Sequence, residues 1–360
     1  MTVWLALILG AVGFAVLCMY RMRQVRKPST QTVASEPTND EGDAPLASPG
    51  DASVPFHTEN TLDAQAATYQ LAFGVRRFDY RIFSDHDGVL QKVVKSLDSA
   101  IHEQRHFPRR PALLPKLLHA INDGDSTRES VARLILQDPV LAGNVLKRAN
   151  SVYYLQKNAP VESVERAIVV LGTEGLRAPV AAAVMQPVFQ LPRGFFDQFA
   201  PMTWEQARRS AQAAEAYARL HQAGDPFIAN LIGLLGGLGR IVLFRITLDQ
   251  YRERGNLMPR AEVFIRLMMD HGRMLTRQIA ASWQLSDNFL AALDVQIAQQ
   301  SPIQMSPLAR ALYYGELSGS LALLENHQQR TRDESCAILE HQGLNRTISA
   351  DLLNAANTVD

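Results

Sequence analysis

Two adjacent pairs of histidine and aspartate, His86-Asp87 and Asp270-His271, are the residues of this 360-residue chain whose types could hold a divalent metal. Each pair offers one nitrogen and one oxygen donor, and a hydrolytic centre needs at least three protein ligands to polarise a phosphate and lower the pKa of water. One pair alone falls short. His86-Asp87 lies in Ser84-Asp85-His86-Asp87-Gly88, just ahead of an amphipathic stretch, where a cap or turn is the plainer role. The second chemical candidate is the glycine-rich run Leu234-Leu235-Gly236-Gly237-Leu238-Gly239-Arg240. Its glycines invite a phosphate-cradling loop, but no Lys-Ser or Lys-Thr follows, and Ile228 to Leu235 reads as helix. Close helix approach, or a helix break near Arg240, fits better. Arg208, Arg209, Arg240 and Arg245 could line an anionic pocket, although arginines on helices more often cap or face water.

Composition narrows the function classes. Lysine plus arginine (36) equals aspartate plus glutamate (36), so a basic nucleic-acid-binding surface is not expected. Cys18 and Cys336 have neither metal-like spacing nor a secreted disulfide pattern, which fits a reducing cytoplasm. No cofactor is expected from the motifs present.

Val3 to Tyr20 is an almost unbroken apolar run. As a helix it covers roughly 27 Å, close to the hydrocarbon thickness of a bilayer. Positive charge follows the run, as Arg21, Arg23, Arg26 and Lys27, where a cleaved signal peptide carries it in front. Leu17 before Cys18 is too large for a lipoprotein cleavage site. The expectation is a retained single-pass inner-membrane anchor over residues 3–20, with the bulk of the chain in the cytoplasm and the basic flank attracted to anionic lipid. Ala6 with Gly10, and Ala11 with Ala15, place small residues four apart and would permit self-association.

The remaining elements must position any chemistry. From Pro28 to about Asn60 the chain is rich in Pro, Ser, Thr, Asp and Glu and cannot repay the entropy of a core, so residues 21–60 form a basic flank and disordered linker. Residues 61–107 are a helical lead-in, with Val89, Val93, Val94, Leu97 and Ile101 at helical spacing. Ser126 and Glu129 make a capping box ahead of Val131, Leu134 and Ile135. Asp138 can cap a helix with Pro139 in its first turn and Leu141, Val145 and Leu146 on its buried face. Asn150-Ser151 reads as a helix stop, and Tyr153 and Tyr154 as core rings or a partner anchor. Ser163 starts a helix that Gly172 ends in a left-handed conformation, with Thr173 capping the next. Helices are predicted over 204–221, 227–245, 260–283 and 287–299, with helical segments over 308–324 and 335–341. The fold class is all-α.

The ordered motifs Leu114-Pro115, Asp138-Pro139, Ala149-Asn150-Ser151 with Tyr153-Tyr154, Ala167-Ile168, Leu171-Gly172, Trp204 and Leu234 to Arg240 resemble the HDOD family. The resemblance covers roughly Pro111 to Gln300 and implies an HD-like multi-helix domain at 108–300, with residues 301–360 as a C-terminal helical extension packed on it. That family is similar to HD-type phosphohydrolases but serves as a non-catalytic output or interaction module in bacterial signalling. The resemblance places Gly236-Gly237 where the hydrolases carry a central His-Asp doublet, and Gln206 and Gln296 where they carry further ligands. His271 survives as a packed residue or one behind the metal shell. Asp138, Pro139, Asn150, Ser151, Tyr153 and Tyr154 are candidate interaction or structural residues.

Three functions follow as expectations. The first is a membrane-tethered, non-enzymatic signalling or scaffold protein with unidentified protein partners. The second is a small-molecule, nucleotide-like sensor using a vestigial metal cavity, and the third a residual metal-dependent phosphohydrolase.

Overall fold

The computed structural model describes residues 59–75, 84–103, 107–108, 115, 128–137, 139–150, 160–191 and 194–358, all within one unit that runs from Pro55 to Asp360. The apolar run at 3–20 and residues 21–58 of the flank and linker lie outside the described residues, as do Ser126, Asp138, Ser151, Tyr153 and Tyr154, while Glu59 and Asn60, expected in the linker, open the first described helix. No strand occurs among the described residues, so the fold is all-α as expected.

The helices are α1 (Glu59–Phe73), α2 (Ser84–Glu103), α3 (Arg128–Leu136), α4 (Pro139–Ala149) and α5 (Val164–Met185). A 3₁₀ turn (Gln186–Phe189) leads to α6 (Phe199–His221), α7 (Pro226–Leu235), α8 (Leu238–Arg254), α9 (Ala261–Ser282) and α10 (Asp287–Ile297). After a second 3₁₀ turn come α11 (Pro307–Asn326), α12 (Arg332–His341) and α13 (Arg346–Asn357).

Local signals place many of these ends. The Ser163 hydroxyl accepts from the Arg166 N–H at the start of α5, and Gly172 breaks that helix at φ 67°, where an L side chain would be strained. Asp225 caps α7 ahead of Pro226, and Thr331 with Glu334 forms a complete capping box on α12. Val131, Ile135, Leu141 and Val145 are buried, as their spacing predicts. The predicted helix over 227–245 is instead two helices. It breaks at Gly236-Gly237 and resumes as α8 through Arg254, because two glycines in succession offer no side chain to hold the turn in register with its neighbours. The helix predicted from Trp204 begins five residues earlier, at Phe199, whose ring is fully buried. His86-Asp87 is not a preceding turn; it lies in the first turn of α2. α13 falls in the C-terminal helical extension expected over 301–360, although no separate helix is predicted at its position; Leu352, Leu353 and Ala356 form its buried face.

The centre of the fold is the packing of α11 on α6. A Cβ on Gly315 would lie 2.6 Å from that of Ala214 and 2.8 Å from the Ser210 carbonyl oxygen, so the two backbones meet only because glycine is there. Rings from four helices close the core beside them. Phe199 stacks on Phe244 at 4.7 Å, and Phe73 from α1 lies 4.9 Å from Phe199 and 5.5 Å from Phe264. The lead-in helix α1 is therefore built into the core. At the other end, buried Arg209 on α6 donates to the Ala356 carbonyl at 3.1 Å and to Asn357 Oδ1 at 2.6 Å, tying down α13. Among the described residues one helical stretch, Pro226–Arg254, is long and apolar enough to cross a membrane, and 89% of its apolar window is buried inside the fold.

Candidate functional site

Four helices converge on a small polar cavity, lined by Gln206 from α6, Arg240 from α8, Arg273 from α9, Glu316 and Ser320 from α11, and Gln65 from α1 as a fifth contributor. Gln206 occupies the buried stripe of α6 with Thr203, Ala207, Ser210 and Ala211, which aims it at α11 rather than at water. Arg240 sits in the first turn of α8, and its stem passes 3.6 Å from where a Cβ on Gly272 would be. Only 6% of Arg240 is exposed.

The polar groups form a directed chain. An Arg240 guanidinium N–H donates to Gln206 Oε1, Gln206 Nε2 donates to Ser320 Oγ at 2.7 Å, and the Ser320 hydroxyl donates to the Glu316 carbonyl at 2.8 Å. Each donor has one acceptor, which fixes the orientation of the Gln206 amide. The face of Tyr69 covers the Arg240 guanidinium at 5.9 Å, and Gln65 donates to the Tyr69 hydroxyl at 3.1 Å. Burial pushes the Tyr69 hydroxyl pKa up, while Arg240 and Arg273 pull it back and Glu316 raises it again. All four ionisable groups thus share one electrostatic neighbourhood. Arg273 contacts Glu316 at 3.8 Å and the Gln296 carbonyl at 3.4 Å, both long.

The glycine positions explain why no donor stands there. A Cβ on Gly236 would lie 2.7 Å from Glu316 Oε1, so the carboxylate of α11 fills the space that a side chain at 236 would take. A Cβ on Gly237 would lie 2.8 Å from the Phe189 ring and 3.3 Å from the Thr203 methyl. Gly237 therefore faces an apolar contact and not the cavity. Gln296 also turns away, with Nε2 donating to the Ala309 carbonyl at 2.9 Å. His271 is half-buried on α9 and does not line the cavity, and Asp270 pairs at the surface with Arg266 at 2.6 Å. The positions expected to share one centre thus separate. Gln206 and Gly236 border the charged cluster, while Gly237, His271 and Gln296 do not.

These residues do not fit a divalent metal. The cavity walls carry two guanidiniums, two amides and a single carboxylate, and no cluster of three His, Cys, Asp or Glu suited to a metal occurs among the described residues. A cation entering beside Arg240 and Arg273 would meet repulsion without a ligand set to offset it.

The remaining candidates have structural surroundings where they are described. Asn150, at the end of α4, pairs both amide atoms with one residue: Nδ2 donates to the Val161 carbonyl at 2.8 Å and Oδ1 accepts from its N–H at 2.7 Å. The backbone of Pro139 opens α4. Of the four arginines considered for an anionic pocket, Arg240 alone reaches the cavity; Arg209 holds Glu205 and α13, and Arg245 donates to the Gln190 carbonyl at 2.8 Å. Sequence reasoning missed Arg273, Glu316, Ser320, Tyr69 and Gln65. The one available signal was Glu316, the single charged residue in the stretch 311–324 of α11, set between Gly315 and Gly319.

A model of the HDOD domain matches residues 107–298, more than half of the chain, and the chain belongs to the HDOD family. Among solved structures it is similar to a provisionally assigned metal-dependent phosphohydrolase from Shewanella amazonensis, with 15% identity, a TM-score of 0.53, and coverage of 75% of this chain and 100% of that one. It is also similar to an HDOD domain protein of unknown function from Geobacter sulfurreducens, with 19% identity, a TM-score of 0.50, and coverage of 76% and 90%. At these identities the likeness is one of fold. No curated protein matches the chain.

Proposed function

We propose that this HDOD protein is a membrane-anchored, non-enzymatic signalling or scaffold module that acts by protein–protein interaction on the cytoplasmic side of a bacterial inner membrane. One observation carries the non-enzymatic part: the Glu316 carboxylate and the Phe189 ring occupy the space that a His-Asp doublet at 236–237 would need. The anchoring part rests on the apolar run at 3–20 and on Arg21, Arg23, Arg26 and Lys27. An anchor at 3–20 would hold the domain near membrane-bound partners at high effective concentration, so modest interfaces suffice for recruitment. The same anchor admits self-association through its small residues.

Two measurements test this reading. Full-length protein in detergent is titrated with manganese, iron and magnesium and assayed for phosphoester hydrolysis; stoichiometric binding with turnover would overturn the non-enzymatic part. Recovery of partners is then compared with and without residues 1–60, and recovery no greater than detergent controls in both cases would remove the scaffold part. The nucleotide-sensor alternative is disfavoured by size, since a cavity of about 20 Å³ is far smaller than a nucleotide pocket.

A further inference from the structure

We propose that the cavity between Arg240 and Arg273 is a binding site for a small free carboxylate anion. The proposal goes beyond the scaffold reading and stands or falls separately from it.

A guanidinium carries five N–H donors and a full charge that cannot be removed by deprotonation. Arg240 is 94% buried, given its 6% exposure, yet spends its hydrogen bonding on one neutral amide, Gln206, and lies against the Tyr69 ring. Among the described residues no carboxylate lies within ion-pair distance of it. Arg273 is only partly better placed: its side chain is 29% exposed and it pairs with Glu316 at long range. Its Nε is buried without a hydrogen-bond partner, and its other contacts, to Glu316 and to the Gln296 carbonyl, are 3.8 and 3.4 Å. Across the cavity wall Arg273 is paired with Glu316, so the uncompensated positive charge is that of buried Arg240. A buried cation is costly unless it is paired and its donors are met.

An oxyanion supplies both missing items, a negative charge and acceptor oxygens matched to the planar guanidinium fork. The volume of about 20 Å³ has room for one or two waters, which admits an anion no larger than formate and excludes a phosphate ester or a nucleotide. Five helices contribute to the wall: Gln65 from α1, Gln206 from α6, Arg240 from α8, Arg273 from α9, and Glu316 with Ser320 from α11. An anion held there joins them and stabilises this arrangement over any other. Glu316 opposes the anion, which makes the site weak and its sign testable.

The test uses the full chain in detergent, with sodium formate titrated against sodium chloride at constant ionic strength and followed by thermal denaturation and calorimetry. A saturable, formate-specific rise in Tm is expected. Removing the opposing charge with Glu316→Gln should tighten formate by about tenfold, and removing an attracting one with Arg273→Gln should weaken it by about tenfold. Gln206→Glu places a carboxylate on Arg240 and should abolish the response. Arg273 is partly exposed, so its variant is expected to fold even where an Arg240 variant would not. The absence of a saturable difference between formate and chloride in the unaltered protein would overturn the proposal, as would Glu316→Gln and Arg273→Gln shifting affinity in the same direction.

Discussion

Arg240 donates a hydrogen bond to Gln206 Oε1 across the α6–α8 contact, so a charged residue at the head of one helix is held by a neutral amide buried in another. The amide is the only hydrogen-bond acceptor given to that guanidinium among the described residues. Gln206→Ala should therefore strand a buried charge and also remove the donor to Ser320, costing about 2–4 kcal/mol. Urea denaturation measures this. A loss below about 0.5 kcal/mol would show that Arg240 relaxes to water or to another partner.

Rebuilding a doublet should not rebuild a metal site. In Gly236→His with Gly237→Asp, the new side chains must displace Glu316 and Phe189, and overpacking of this kind costs about 1–3 kcal/mol. Calorimetry with manganese on the folded variant is expected to show no stoichiometric binding, because Gln206, Gln296 and the two arginines remain.

Asn150 clamps the segment after α4 to the start of α5 through its paired bonds with Val161. Asn150→Ala leaves a donor and an acceptor of Val161 unmet and should cost about 1–3 kcal/mol. Asn150→Asp keeps the acceptor but loses the donor to the Val161 carbonyl and should destabilise as well. Thermal melts of both variants check this, and a silent Asn150→Asp would point away from the clamp.

The Gly315 contact predicts that Gly315→Ala is destabilising despite alanine's higher helix propensity. The added methyl would lie 2.6 Å from the Ala214 methyl, and the expected cost is about 1–3 kcal/mol. An increase in stability would mean that α6 and α11 separate freely.

His86 gives the fold an acid-sensitive contact. Burial, and after it Arg260, depresses the His86 pKa below 6.5, and Nδ1 lies 2.9 Å from the Tyr251 hydroxyl, whose own pKa burial pushes up to about 12. Tyrosine is then the donor and neutral histidine the acceptor. Because the folded state binds the proton less tightly than the unfolded state, this contribution is complete above the unfolded pKa and is lost as pH falls through the depressed folded value. Tm measured from pH 7.5 to 5 should fall more steeply for the unaltered protein than for His86→Gln. Equal slopes would exclude a role for His86.

The sequence by itself determined what is local. Ser163 marks a helix start because a side-chain oxygen meets an N–H three residues away, and Gly172 marks a break because the left-handed backbone excludes other residues. Periodicity likewise determined the buried faces of α3 and α4, since 3.6 residues per turn is a property of the chain alone. The family motifs identified the domain. Only the tertiary structure decided what replaced the metal ligands, because Glu316 reaches Gly236 from 80 residues away and Arg273 and Tyr69 arrive from two further helices. It also parted Gly236 from Gly237, sending one toward a carboxylate and the other toward a phenyl ring, since neighbours on a helix end face different packing partners. Periodicity marks a residue as buried, but the charge it faces is set by the helix packed against it.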